Sequence, residues 1–199
     1  MTVLKEIFTG QMGLKESHYQ TFIQTAQLKT IEKKDHFIKA GSVCNYIGFI
    51  NSGLMRSYVQ GKAAEHNTDF YFENYFVSAY SSVVTRLPTE HSIQALTDVE
   101  IYCLSLEQLN TLIQEDTNWL RFSKYVGEFF LIRKCKREIS FLKLSANERM
   151  EDMLSNYPGI EQLVSQYHIA SYLGIKPESL SRIKLLEASG GNRIDEKIA

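Results

Sequence analysis

Little in this sequence points to secretion, to a membrane or to a strongly charged partner. No apolar run approaches the roughly 18 residues that a membrane span needs, so no membrane association is expected. The opening MTVLKEIFTGQMGLKE has no basic region followed by an apolar stretch, so no secretory signal is expected either. The three cysteines, Cys44, Cys103 and Cys135, lie far apart without CxxC spacing. That pattern excludes a disulfide scaffold and fits free thiols in a reducing, cytoplasmic setting, where all three read as buried apolar fillers. Twenty-two Lys and Arg balance 23 Asp and Glu, a net charge of -1, so there is no basic arm. Any nucleic-acid contact must come from a local patch. The five histidines, His18, His36, His66, His91 and His168, show no HxH or HxxxH spacing, and no metal site is assigned. A cupin-like metalloenzyme would have only Glu65-His66 and Glu90-His91 to draw on, and neither has an HxH partner.

What the chain does have is 199 residues, 44% of them hydrophobic, enough for one large domain or two small ones. Residues 1 to 28 carry Leu4, Ile7, Phe8, Tyr19, Phe22, Ile23 and Ala26 at helical spacing. From about 30 to 106 the segments are short, β-branched, aromatic and broken by glycine, as in a closed or sandwiched antiparallel sheet. NSG at 51–53 and QGK at 60–62 read as hairpin turns, with glycine supplying a positive φ. Ser105-x-x-Gln108 and Ser145-x-x-Glu148 are capping boxes that open helices.

Residues 118–143 run without proline, and Trp119, Phe122, Val126 and Phe129 at a/d-like spacing mark a dimer helix. Leu120, Leu131, Ile132, Ile139 and Leu142 lie on its other faces. Such a helix is either buried wholly within one chain or shared with a partner, and its length favours a homodimer. Between Arg121 and Arg149 eight basic residues (Arg121, Lys124, Arg133, Lys134, Lys136, Arg137, Lys143 and Arg149) face only Glu128, Glu138 and Glu148. That run is either a solvated face or a zone that steers DNA.

The densest signal is QYHIASYLGIKPESLSRIKLL, residues 166–186. Ser165 caps a helix over 166–173, with Ile169, Ala170 and Leu173 inward and His168 at the surface. Gly174 turns the chain, and Pro177 sits in the first turn of a second helix. There Leu180, Ile183 and Leu186 pack inward, while Glu178, Ser179, Ser181, Arg182 and Lys184 stay open. A structural helix pair with a solvated face would look similar. The small Ala170, the turn glycine and the short polar side chains favour a helix that enters a DNA major groove. Arginine can read guanine bidentately there, and glutamate can accept from cytosine.

IASYLGIKPESLSRI resembles the helix-turn-helix of the Crp/Fnr family of bacterial regulators, and YIGFINSGLMRSYV and SIQALTDVEIYCLS resemble that family's cyclic-nucleotide-binding-type fold. The resemblance spans nearly the whole chain. It implies an α+β architecture: an antiparallel β-roll (jelly-roll-like, a double-stranded β-helix) as sensor over 1–117, a dimerisation helix over 118–143, and a winged helix-turn-helix over 144–199. It places Glu178, Ser181 and Arg182, with Ser179, at base-reading positions, and Ser165, Gln166 and Tyr167, with Lys184, at phosphates. It also implies a homodimer on a palindromic operator in double-stranded DNA, contact with RNA polymerase, and no catalysis. Two departures matter. The family's Gly-Glu and Arg-Ser clamp for a cyclic phosphate aligns with Ser78-Ala79 and Thr89-Glu90, and a glutamate repels phosphate. With Arg86 nearby, these five residues outline the expected effector pocket, for an effector other than cyclic AMP. The family's iron-sulfur branch uses clustered N-terminal cysteines, which this chain lacks, so no cluster is expected. The tail EASGGNRIDEKIA is short and glycine-broken, so a short or incomplete wing is expected. The competing readings are a sensor module that has lost DNA binding and the cupin-like enzyme.

Overall fold

The computed structural model describes residues 2–185. These divide into two compact units: residues 2–60 with Thr68–Cys135, and Gly61–Asn67 with residues 136–185. Among the described residues no helix is long and apolar enough to cross a membrane.

The first unit opens with α1 (Thr2–Glu6), a π-helical turn over Ile7–Gln11 and α2 (Glu16–Thr25). Eight strands follow: β1 (Gln27–Ile31), β2 (His36–Ile38), β3 (Tyr46–Ser52), β4 (Met55–Gln60), β5 (Glu65–Tyr71), β6 (Phe76–Val77), β7 (His91–Ala95) and β8 (Val99–Ser105). The short helix α3 (Tyr80–Thr85) interrupts them between β6 and β7. They form two four-stranded sheets, ordered β1-β8-β3-β6 and β2-β7-β4-β5. This is the antiparallel roll that the strand texture announces.

One turn differs from expectation. NSG does not close a hairpin, because β3 pairs with β6 and β8 while β4 pairs with β7. The chain changes sheets at Gly53, whose φ is +96°, and a Cβ there would lie 2.4 Å from the Asp98 carbonyl oxygen. Glycine is required by both the backbone and the close approach. QGK does join neighbours, β4 and β5, but Gly61 is not among the positive-φ residues.

After β8 the chain enters α4 (Leu106–Glu115), opened by the Ser105/Gln108 capping box, then a 3-10 turn over Thr117–Trp119 and α5 (Leu120–Lys143). The a/d-spaced residues of α5 do not mark an open seam. Trp119, Phe122 and Val126 are buried and Phe129 packs against the core. Phe8, Phe22, Phe76, Trp119 and Phe122 meet in tilted and edge-to-face pairs, so the N-terminal helices and α5 cover one side of the roll. Each such ring removes a large apolar area from water, which outweighs any contribution this stripe could make outside the core. The faces of α5 left exposed bear Leu120, Leu131, Ile132, Ile139 and Leu142. Cys44 and Cys103 are buried as expected, but Cys135 is exposed, since it lies on this outer side of α5.

The second unit contains α6 (Ala146–Asn156), α7 (Ile160–Leu163), α8 (Gln166–Leu173) and a helix from residue 177 through 185, here α9. Ser145 and Glu148 form the expected capping box on α6. That reciprocal bond holds the Glu148 carboxyl below the usual carboxylate range. Among the described residues the buried apolar side chains of the unit are Met150, Met153, Ile160, Val164, Ile169, Ala170, Leu173 and Leu180.

Candidate nucleic-acid interface and sensor pocket

The turn between α8 and α9 is built as its residues dictate. The Ser165 hydroxyl accepts from the His168 N–H, closing the start of α8. Gly174 ends it at φ +70°, and the N–H of Ile175 returns to the Ala170 carbonyl, satisfying an otherwise orphaned acceptor. A Cβ on Gly174 would come 2.7 Å from the Phe141 ring. Pro177 opens α9, with Glu178, Ser181 and Arg182 exposed, Ser179 half-buried and Leu180 fully inward. Gln166 and Tyr167 are exposed on the first turn of α8. The pair therefore presents a polar face of hydrogen-bonding side chains over a small apolar core. Lys184 is placed otherwise: its ammonium is ion-paired with the Glu161 carboxylate. Leu186 and the expected wing lie outside the described residues.

Four of the eight basic residues between Arg121 and Arg149 are structural rather than free for DNA. Arg121 donates to the Gly13 carbonyl at 2.7 Å. Arg133 grips the Asp69 carboxylate and donates to the Phe70 carbonyl at 3.0 Å. Arg137 donates to the carbonyls of Asn67 and Tyr172, at 3.0 and 3.1 Å. Arg149 donates to Leu144 and Leu173. The guanidinium groups of Arg137 and Arg149 each lie 4.7 Å from the centre of the Phe141 ring. Guanidinium is flat, weakly hydrated and rich in donors, which is why arginine and not lysine fills these places. Lys124 is paired with Glu128, one turn on. His168 is also not a plain surface residue: its ring Nδ1 is 3.2 Å from the Asn67 side-chain nitrogen.

Of the five residues outlined for the effector, three are buried and two are exposed. Ser78 and Ala79 are buried between β6 and α3, with the Ser78 hydroxyl donating to the Tyr46 carbonyl at 2.9 Å. Thr89 is buried, its N–H on the Ser42 carbonyl and its own carbonyl accepting from Gly41. Glu90 is exposed. Arg86 caps α3 in the left-handed region at φ +63° and lines a cleft of about 550 Å³ with Asn45, Tyr46, Ser105 and Asn110.

A different polar group comes together in the first unit, and sequence reasoning missed it. Thr68 donates to Ser57 at 2.9 Å, and the neighbouring Asp69 is held by Arg133 of α5. His91, half-buried beside Thr89, has its pKa lowered to about 4, first by burial, then by Lys134, with Asp69 opposing. The available signal was the polar run Asn67-Thr68-Asp69 directly ahead of Phe70 and Tyr71 in one strand. Among the described residues no three His, Cys, Asp or Glu side chains are grouped as metal ligands.

Residues 28–116 match the family described as Cyclic nucleotide-binding domain. The fold is similar to that of CLP, a c-di-GMP-responsive global regulator of Xanthomonas campestris, with TM-score 0.71 and 16% identity over 88% of this chain and 93% of that one. It is similar to FixK2 of Bradyrhizobium japonicum, with TM-score 0.71 and 16% identity over 83% and 86%. It is also similar to a Eubacterium rectale protein assigned to the Crp/Fnr transcriptional regulators, with TM-score 0.69 and 15% identity over 89% and 86%. Comparison with curated protein sequences yields no significant match.

Proposed function

We propose, for a chain that carries a cyclic nucleotide-binding domain on the fold of the Crp/Fnr transcriptional regulators, that it is a homodimeric, sequence-specific DNA-binding regulator. The observation that carries this reading is the exposure of Glu178, Ser181 and Arg182 on a helix whose Leu180 is buried, one glycine turn after a capped α8. Small serines let such a helix sit deep in the major groove, and Arg182 can bond guanine O6 and N7 together. The partner is a palindromic duplex, since two copies related by a two-fold axis present two recognition helices. The second copy docks on the outer faces of α5, where Leu131 and Ile132 are more than half exposed, at 62% and 54%. RNA polymerase is the further partner that such a regulator addresses.

The effector is a small molecule other than cyclic AMP. A cyclic phosphate needs a guanidinium held in the cassette, and Thr89 and Glu90 supply none. The polar side chains of Ser57, Thr68, Asp69, His91 and Arg133 offer donors and acceptors of both signs instead. No step of the proposal uses a metal, an iron-sulfur cluster or catalysis. The test is a gel-shift titration of the purified protein on its own upstream DNA, with and without cell extract. A shift that survives excess nonspecific duplex supports the reading; no shift under either condition favours a sensor module without DNA binding.

A further inference from the structure

The start of β5 does not belong with the rest of its strand. Residues 65–67 fall in the second unit, and 68–71 in the first. A dense set of bonds joins Glu65 and Asn67 to α8. The backbone N–H of Asn67 donates to the Ser171 hydroxyl at 2.9 Å, and that hydroxyl donates to the Glu65 carbonyl at 2.9 Å. The Asn67 side-chain amide donates to the His168 carbonyl at 3.0 Å and sits 3.2 Å from the His168 ring nitrogen. Arg137 then joins the Asn67 carbonyl to that of Tyr172. Asn67 is 1% exposed, so each of these groups would be costly to leave unpaired. The bonds take the His168, Ser171 and Tyr172 side of α8, and leave Gln166 and Tyr167 exposed.

We propose that residues 65–67 are a positioning clasp on the first helix of the helix-turn-helix, through which displacement of β5 in the sensor reaches α8 along the strand itself, in addition to the continuation of α5. The clasp lies wholly within the second unit, and the strand that carries it continues without a break into Thr68 and Asp69, the residues that meet Ser57 and Arg133. Thr68 is therefore bonded directly to Asn67, and a shift of Asp69 has only Thr68 to cross before it moves Asn67. This rests on the DNA-binding reading above only for its consequence, not for the clasp itself.

The test is hydrogen exchange of the full-length protein, read on the amides of residues 169–173 and on those of β3 and β8 as control. Asn67→Ala, and Ser171→Ala as the milder change, are expected to speed α8 exchange about tenfold, the scale of one lost buried hydrogen bond, with β3 and β8 unchanged. Thr68→Ala is expected to speed α8 exchange as well, and to add nothing in the Thr68→Ala/Asn67→Ala double variant, as coupled sites do. Unchanged α8 exchange in both clasp variants, or equal acceleration across both units, overturns the clasp. Unchanged α8 exchange in Thr68→Ala overturns the transmission. Duplex affinity separates the two readings: if wild-type protein binds no duplex while the exchange pattern holds, the clasp stands and the DNA-binding reading falls.

Discussion

The guanidinium of Arg149 donates from both Nε and Nη2 to the carbonyl oxygen of Leu173, at 3.1 and 3.0 Å. That oxygen closes α8, where the helix has no further N–H to offer, so a side chain on α6 finishes a helix two elements later. Nη1 returns to the Leu144 carbonyl at 2.7 Å, ahead of α6 itself. Arg149→Leu is expected to destabilise the second unit by about 2–3 kcal/mol, since charge-assisted bonds are lost and a buried acceptor is left open. Arg149→Lys is expected to recover less than half of that, because an ammonium cannot span both carbonyls. Urea unfolding of the two variants measures this; equal stability of Arg149→Lys and wild type would rule out the fork.

The two sides of α5 make opposite demands on substitution. Phe129 packs against the core, whereas Ile132 is 54% exposed. Phe129→Glu is expected to unfold the sensor, while Ile132→Glu keeps the fold and yields monomer. Sedimentation and circular dichroism together read both. A wild-type monomer at micromolar concentration would contradict the dimer.

His91 makes stability depend on pH. Its folded pKa of about 4 lies below the ordinary 6.5, so the native state holds it neutral while the unfolded chain protonates first. Its contribution is therefore complete above pH 6.5 and is lost as pH falls from there toward 4. The groups acting on it are Lys134, which lowers its pKa further, Asp69, which opposes, and Thr89, which contacts the ring. His91→Gln is expected to flatten the fall in melting temperature across that window, the carboxylates being common to both proteins. Parallel curves would show that His91 is not a source of the dependence.

Cyclic AMP at millimolar concentration is expected to give no binding heat in calorimetry, because Thr89 and Glu90 provide no cation for the phosphate. Micromolar binding would place the phosphate on Arg133 or Lys134 instead.

Local chemistry was legible in the sequence, and nonlocal pairing was not. The caps at Ser105, Ser145 and Ser165 and the turn at Gly174 depend on residues within a few positions of each other, and the sequence states them directly. Gly53 misled because a hairpin and a sheet switch need the same positive φ, and only the pairing of β4 with β7, some 40 residues away, distinguishes them. The a/d stripe of α5 misled for a related reason: periodicity says that a face is covered, not by what. Arg137 and Arg149 looked like DNA-facing charge because nothing nearby in sequence reveals that carbonyls of Asn67, Tyr172 and Leu173 await them. The sensor's polar cluster was hidden because Ser57, Asp69, His91 and Arg133 come from four separate elements.

Arg182 carries the central claim, since it is exposed on α9 one turn beyond Glu178. The most direct measurement is a titration of wild type and Arg182→Ala against a specific operator and a scrambled duplex at fixed salt. Arg182→Ala is expected to lose about 1–3 kcal/mol on the operator and little on the scrambled sequence, with preference relaxed at one position per half-site. Equal losses on both duplexes would make Arg182 a backbone contact or a folding residue, and would contradict base reading by α9.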